Sequence, residues 1–183
     1  LLLMFDEVQC GVGRSGTLFA HEHYSVEPDV MAIAKGLGGG FPVGACLANE
    51  AVSSSMQFGS HGSTFGGNPL AMAVADAVLD LVLEPSLLKD VNSKASFLVS
   101  ELEALTIKYP QSISSVHGLG LMLGVKCVEE NTKLLLKLRE HGLLVGKSGD
   151  NMIRLLPPLN VSQAELERAV TIIETVLQNT EAT

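Results

Sequence analysis

At 183 residues the chain has room for one sizeable domain, or for a piece of a domain joined to a small one. A hydrophobic content of 46% and a mean hydropathy of +0.32 describe a globular protein with a substantial core and exclude a disordered chain. The net charge is -8 and the 12 basic residues are scattered, so the basic patch required by nucleic acid or an anionic membrane surface is missing.

The acidic balance is ordinary for a cytosolic protein. Cys10, Cys46 and Cys127 are odd in number and form no CxxC pair, which argues against a disulfide framework or a zinc site and fits a reducing compartment. Cys10 reads as a small buried hydrophobe. The richest apolar stretch, Leu70 to Leu83, is too short to span a membrane and contains Asp76 and Asp80. It is expected to be a packed helix.

Leu1 to Phe5 reads as a fully buried strand ending in the polar run Asp6-Glu7-Val8-Gln9. A central strand needs neighbours at both edges and cover on both faces. We therefore expect this chain to be a fragment whose N-terminal partner completes the sheet. A glycine-rich loop, Gly11 to Gly16, follows. Val30 to Ala34 is a second short apolar run, closed by Lys35 and then by Gly36-Leu37-Gly38-Gly39-Gly40. Phe41 to Ala48 is predicted as another strand, with Pro42 near its start, where a missing N–H matters least.

From Asn68-Pro69 the period becomes helical, with Leu70, Val74, Ala77, Val78, Leu81 and Val82 at three- and four-residue spacing. Asn68 suits the N-cap and Pro69 the first turn; Pro85 ends the helix. A second helix over Leu87 to Lys108 turns Val91, Ala95, Leu98, Leu102 and Leu105 inward. Ile113 to Val116 and Leu119 to Val128 are predicted strands around a break at Gly118-Leu119-Gly120. Thr132 to His141 is helical and stops at Gly142. Leu143 to Val145 and Met152 to Leu156 are strand-like. Ser162-Gln163-Ala164-Glu165 is a capping box opening a last helix that runs to about Gln178.

Two phosphate-loop patterns fail on context. Gly11 to Gly16 has the spacing of a dinucleotide fingerprint, but Thr17 to Pro28 is too short and polar for the helix that must follow, and the next strand ends in Lys35 instead of an acid. Gly142 to Ser148 has three residues between its glycines where a P-loop needs four, and it precedes a strand. Of the histidines, His21 and His23 are one residue apart with no third ligand near, so no metal site is expected.

Asp6 and Lys35 each end a strand. Ligands gather at the carboxyl ends of strands in open α/β sheets, so the two are candidates for one crevice. Spacing alone leaves a plain ion pair and a covalent role for the lysine equally open.

The run from Asp6 to Gly16, the segment Pro28 to Pro42 around Lys35, the segment His61 to Pro69 and the ending Asp150 to Leu159 together resemble the signature segments of the class III aminotransferases, which depend on pyridoxal phosphate. The resemblance implies an α/β fold: residues 1–85 as the C-terminal portion of the large domain of a fold-type I pyridoxal-phosphate-dependent transferase, and residues 86–183 as its small C-terminal α+β domain.

It also implies roles. Lys35 would hold the cofactor as a Schiff base and then act as general acid–base. Asp6 would pair with the pyridine nitrogen, Val8 would pack on a ring face, and Gln9 would contact the ring hydroxyl. Glu7 would be a cofactor contact or a structural anchor. Thr64 would bond the phosphate, supplied from the neighbouring subunit, which implies a homodimer with shared sites; Ser63 would lie at the substrate's edge. Without the resemblance, Ser63-Thr64 reads as a turn in a glycine-rich loop. Arg154 would clamp a substrate carboxylate in a planar fork, against the plainer reading of a surface pair. Arg14 is read as structural, and His117 stands where relatives often carry arginine.

Within the class, Gly38 to Ala48 and Arg154 to Ser162 look most like the acetylornithine branch, which exchanges the δ-amine of N-acetylornithine with 2-oxoglutarate in arginine synthesis. Ornithine, succinyl-diaminopimelate and 4-aminobutyrate are the alternative amino donors. The 183-residue piece by itself is expected to be a non-catalytic fragment.

Overall fold

A computed structural model describes residues 1–181, and within it the chain forms two compact units, Leu1–Leu88 and the part from Lys89 onward. The first holds a three-stranded sheet of β1 (Met4–Asp6), β2 (Val30–Ile33) and β3 (Ala45–Ala48), in that order. β1 runs parallel to β2, with Met4 opposite Val30 and Asp6 opposite Ala32, and β3 runs antiparallel to β2. Two expected strands are shorter than predicted. The first covers Met4–Asp6 only, and Leu1 to Met4 are exposed instead of buried, because nothing within the described residues covers that face. Residues 41–44 lie outside β3: Phe41 N–H closes a turn onto Gly38 C=O at 2.8 Å and Pro42 has no N–H for a ladder.

Helix α1 (Glu50–Ser53) is one turn, and α2 (Pro69–Leu83) is the long helix of this unit. Asn68 caps α2 as expected, its Oδ1 accepting the Ala71 N–H at 2.9 Å. The face that α2 buries matches the predicted one only in part, at Val82 and the half-buried Val74 and Val78. Ala71, Ala75 and Val82 are buried, while Leu70 and Leu81 are 62% and 66% exposed. A helix apolar on nearly every side has no periodicity with which to choose a face. The small Ala71 and Ala75 let the backbone approach closely, and that selects the packed side.

The second unit is an antiparallel sheet backed by helices: α3 (Pro85–Lys108, whose first turn precedes Lys89), β4 (Ile113–Leu119), β5 (Met122–Cys127), α4 (Asn131–Glu140), β6 (Gly146–Ser148), β7 (Met152–Leu155) and α5 (Gln163–Glu181). The strand order is β4-β5-β7-β6. α3 begins directly at Pro85, and its expected inward residues Val91, Ala95, Leu98, Leu102 and Leu105 are all buried. Strand side chains alternate between faces. Leu123, Val125, Cys127, Ile153 and Leu155 therefore join Leu98, Leu102, Ile173 and Leu177 in one core. Ser115, His117, Lys126, Met152 and Arg154 fall on the other face by the strand register.

Other expectations shift by a few residues. The β4–β5 break is at Gly120-Leu121, since Gly118 and Leu119 still pair with Leu123 and Met122. Residues 143–145 are not a strand; Gly146–Ser148 pairs with β7 instead. α4 ends one residue before His141, with Gly142 at φ 84 closing it. The capping box at Ser162 forms: Ser162 N–H donates to Glu165 Oε2 at 2.8 Å and Glu165 N–H to Ser162 Oγ at 3.2 Å. The Ser162 N–H, together with the Ser162 hydroxyl donating to the same Oε2 at 2.7 Å, holds the Glu165 carboxyl below its ordinary pKa. α5 extends to Glu181, past the expected end.

Candidate active site

The site begins with the parallel pairing of β1 and β2. Because Asp6 stands level with Ala32, both strands deliver their carboxyl ends to the same edge of the sheet. Lys35 follows β2 and opens a 3₁₀ turn, Lys35–Gly38. Its backbone is left-handed, φ 42, a conformation uncommon in residues with a side chain. Leu37 buries its side chain beneath it and donates its N–H to Ala34 C=O at 3.0 Å. α2 packs against this turn, with Val78 Cγ2 3.0 Å from where a Cβ on Gly39 would stand.

The lysine amine points at the loop after β1. Lys35 Nζ donates to Gln9 Oε1 at 2.8 Å. Two glycines permit the approach. A Cβ on Gly36 would stand 3.2 Å from Val12 Cβ, and one on Gly11 would meet Glu7 C=O at 2.8 Å. Val12 is itself 2% exposed, so the glycine-rich loop and the lysine turn are packed directly together. Asp6 accepts the Val8 N–H through Oδ1 at 3.0 Å and stays exposed. The ion-pair reading of Asp6 and Lys35 is not what forms: among the described residues no salt bridge joins them, and the amine bonds a neutral amide.

Glu7 makes contacts of the structural kind. It is 2% exposed, with Oε2 accepting the Ala20 N–H at 2.9 Å and Oε1 the His21 N–H at 2.8 Å. Cys10 Sγ donates to Oε2 at 3.3 Å. Both oxygens thus accept bonds inside the protein, and through them Glu7 anchors the loop. Burial, with the Glu7 bond and charge beside it, pushes the Cys10 thiol up from 9.0 to about 11. Elsewhere in this loop, burial lowers the Arg14 pKa, His21 Nδ1 lies 2.8 Å from Val26 C=O, and His23 Nε2 lies 3.0 Å from Ser15 C=O.

Val8 is half-buried in the turn after β1. Ser63 and Thr64 lie in the exposed loop between α1 and α2, and among the described residues no side-chain hydrogen bond joins them to the Asp6–Lys35 group. Arg154 belongs to the other unit. It is half-buried on β7, forms no ion pair among the described residues, and its Nε is buried without a hydrogen-bond partner. Its cross-strand partners are Gly124 on β5 and Gly146 on β6. Sequence reading missed these two glycines. For Gly124 the signal was there, since it interrupts the apolar interior of β5, where glycine marks a close approach; Gly146 opens β6 ahead of Lys147 and Ser148 and carries no such mark.

The arrangement offers an amine, a carboxylate and a carboxamide at one sheet edge, within reach of solvent. In the other unit it offers a guanidinium with no ionic partner among the described residues. The Aminotransferase class-III family matches residues 1–177. Acetylornithine aminotransferase of Mesorhizobium japonicum is 56% identical over 173 residues, covering 94% of this chain and 43% of that protein. The crystal structure of acetylornithine aminotransferase from Elizabethkingia anophelis superposes with a TM-score of 0.90 at 39% identity, covering 98% of this chain and 46% of that one. The ornithine aminotransferase from Toxoplasma gondii gives a TM-score of 0.92 at 32% identity, covering 100% and 44%. The chain spans less than half the length of these relatives, and across that span it belongs to the class-III aminotransferases.

Proposed function

We propose that this chain is the lysine-bearing part of a pyridoxal-phosphate-dependent aminotransferase that moves the δ-amino group of N-acetylornithine to 2-oxoglutarate, in arginine synthesis. The observation that carries the reading is the Lys35 amine held 2.8 Å from Gln9 at the sheet edge it shares with Asp6. It is supported by 56% identity to a protein named acetylornithine aminotransferase.

The residues present fit the cofactor. An aldehyde needs an amine that it can reach, and the Lys35 side chain is exposed at the sheet edge. A pyridine nitrogen needs an anionic acceptor, and the Asp6 carboxylate is exposed at the same edge. A ring hydroxyl needs a hydrogen-bonding partner, and Gln9 supplies an amide. Lys35, Asp6, Val8 and Gln9 would hold the ring, and Thr64 the phosphate of a partner subunit's site. Pyridoxal phosphate, when bound, supplies the electron sink that makes loss of a proton beside the amine possible. Lys35 Nζ would take up and return a proton there, Asp6 would hold the ring nitrogen's proton, and Arg154 would orient a substrate carboxylate with Ser63 at the substrate's edge. With Thr64 assigned to the neighbouring subunit the working enzyme would be a homodimer, and we propose that it works in the cytoplasm.

The test is mass spectrometry after incubating the full-length protein with pyridoxal phosphate and reducing with borohydride. A phosphopyridoxyl adduct at Lys35, in preference to other lysines, supports the reading; no adduct there overturns it. A second reading, ornithine as the amino donor, has the Toxoplasma gondii similarity in its favour. Comparing kcat/KM for N-acetylornithine, ornithine, succinyl-diaminopimelate and 4-aminobutyrate separates these. The 183-residue piece alone should be inactive, and turnover at the rate of the full-length protein would overturn that part.

A further inference from the structure

Arg154 sits in the middle of a row with an unusual composition. Across the sheet the row reads His117, Gly124, Arg154, Gly146 on β4, β5, β7 and β6, with both immediate neighbours of the arginine lacking side chains. Neither glycine is needed for a left-handed backbone, since neither has a positive φ. Glycine inside a strand costs about 0.5–1 kcal/mol relative to alanine. Two of them at one arginine therefore call for another reason, and the close approaches provide it.

The two empty positions are filled from β7 in opposite directions. A Cβ on Gly124 would stand 3.0 Å from Met152 Sδ, so the thioether lies over β5. A Cβ on Gly146 would stand 3.5 Å from Arg154 Nε and 3.7 Å from Nη2, so the guanidinium lies over β6. The β6–β7 hairpin fixes this register through Asp150 and Asn151, both left-handed, and Asn151 Nδ2 donates to Cys127 and Glu129 C=O at 2.9 and 2.8 Å. Arg154 Nε is buried and unbonded. That side of the fork is closed to any ligand, which leaves the terminal nitrogens as the accessible donors.

We propose that Gly146 is the positioning residue for Arg154: its bare backbone seats the guanidinium flat on β6, so that an anionic ligand group is gripped end-on by the two terminal nitrogens. The ligand class is a carboxylate, whose two oxygens match that pair of parallel donors. The inference rests on the reading of Arg154 as the substrate-carboxylate clamp. A methyl at position 146 would touch the guanidinium at ordinary contact distance, whereas a branched side chain would occupy its seat.

The test uses the full-length cofactor-loaded enzyme and glutarate, a dicarboxylate that cannot react, titrated by calorimetry. Gly146→Val should weaken glutarate about tenfold or more through loss of a charge-assisted fork, whereas Gly146→Ala, whose methyl would only touch the guanidinium, should stay within about threefold of wild type. Gly149→Ala, where a Cβ would meet nothing, should leave it unchanged. In steady-state kinetics Gly146→Val should raise KM for 2-oxoglutarate while kcat at saturation stays close to wild type. Should the valine variant not fold, Gly146→Thr takes its place, and wild-type glutarate affinity in the variant tested overturns the proposal. Arg154→Lys separates the two readings. If it loses glutarate while Gly146→Val keeps it, the seat is wrong and the clamp stands. If it keeps glutarate, the clamp itself is wrong and the seat falls with it.

Discussion

Glu7 and His21, 14 residues apart, are joined by a 2.8 Å bond from the His21 N–H to Glu7 Oε1, and the other oxygen of the same buried carboxylate takes the Ala20 N–H. One side chain thus closes the loop that runs from the end of β1 to the 3₁₀ turn Ala20–Tyr24. Gln9 and Val12 are carried on that loop, so the amide that meets Lys35 is held in place by a residue that never touches the lysine.

Glu7→Ala should lower stability by about 3 kcal/mol, because two buried backbone N–H groups lose their acceptor. Glu7→Gln keeps one acceptor oxygen and should cost about half as much. Thermal denaturation of the full-length protein reads both. An unchanged midpoint for Glu7→Ala would remove the anchoring role.

Lys35→Ala should abolish transamination and the borohydride-trapped adduct while leaving the melting temperature within a few degrees, since the exposed Lys35 side chain is absent from the core. Gln9→Ala should retain the adduct and lose no more than about tenfold in rate, the scale of one hydrogen bond. Equal losses in the two variants would contradict this division of labour.

Cys10 should stay a neutral thiol well above pH 9. Its folded pKa, about 11, exceeds the ordinary 9.0, so between those values the unfolded chain has already lost its proton and the folded protein has not. The contribution to stability is therefore full below pH 9 and declines as pH rises toward 11. Iodoacetamide at pH 8, followed by peptide mapping, should label the exposed Cys46 ahead of Cys10. Preferential labelling of Cys10 would contradict the burial and the Glu7 contact.

Asn68→Ala should destabilise α2 by about 1 kcal/mol through loss of the cap on Ala71. Since α2 packs on the lysine turn, adduct formation at Lys35 should slow in parallel; Asn68→Asp, which preserves the cap, should restore both. A full effect on stability with none on the adduct would uncouple the helix from the site.

Local chemistry was readable from the chain. The Asn68-Pro69 start, the Ser162–Glu165 box and the inward stripe of α3 are set by residues within one or two turns of one another, and each forms as expected. Asp6 and Lys35 were legible as strand-end groups for the same reason. What depended on packing was not legible. The buried face of α2, the strand at 146–148, the absence of an Asp6–Lys35 ion pair and the anchoring by Glu7 each follow from a partner distant in sequence. The seat for Arg154 is the plainest case. Gly124 and Gly146 lie 30 and 8 residues from it, and only the pairing of three strands makes them its neighbours. Periodicity says which way a side chain faces; register, decided by the hairpins and the shared core, says what it meets there.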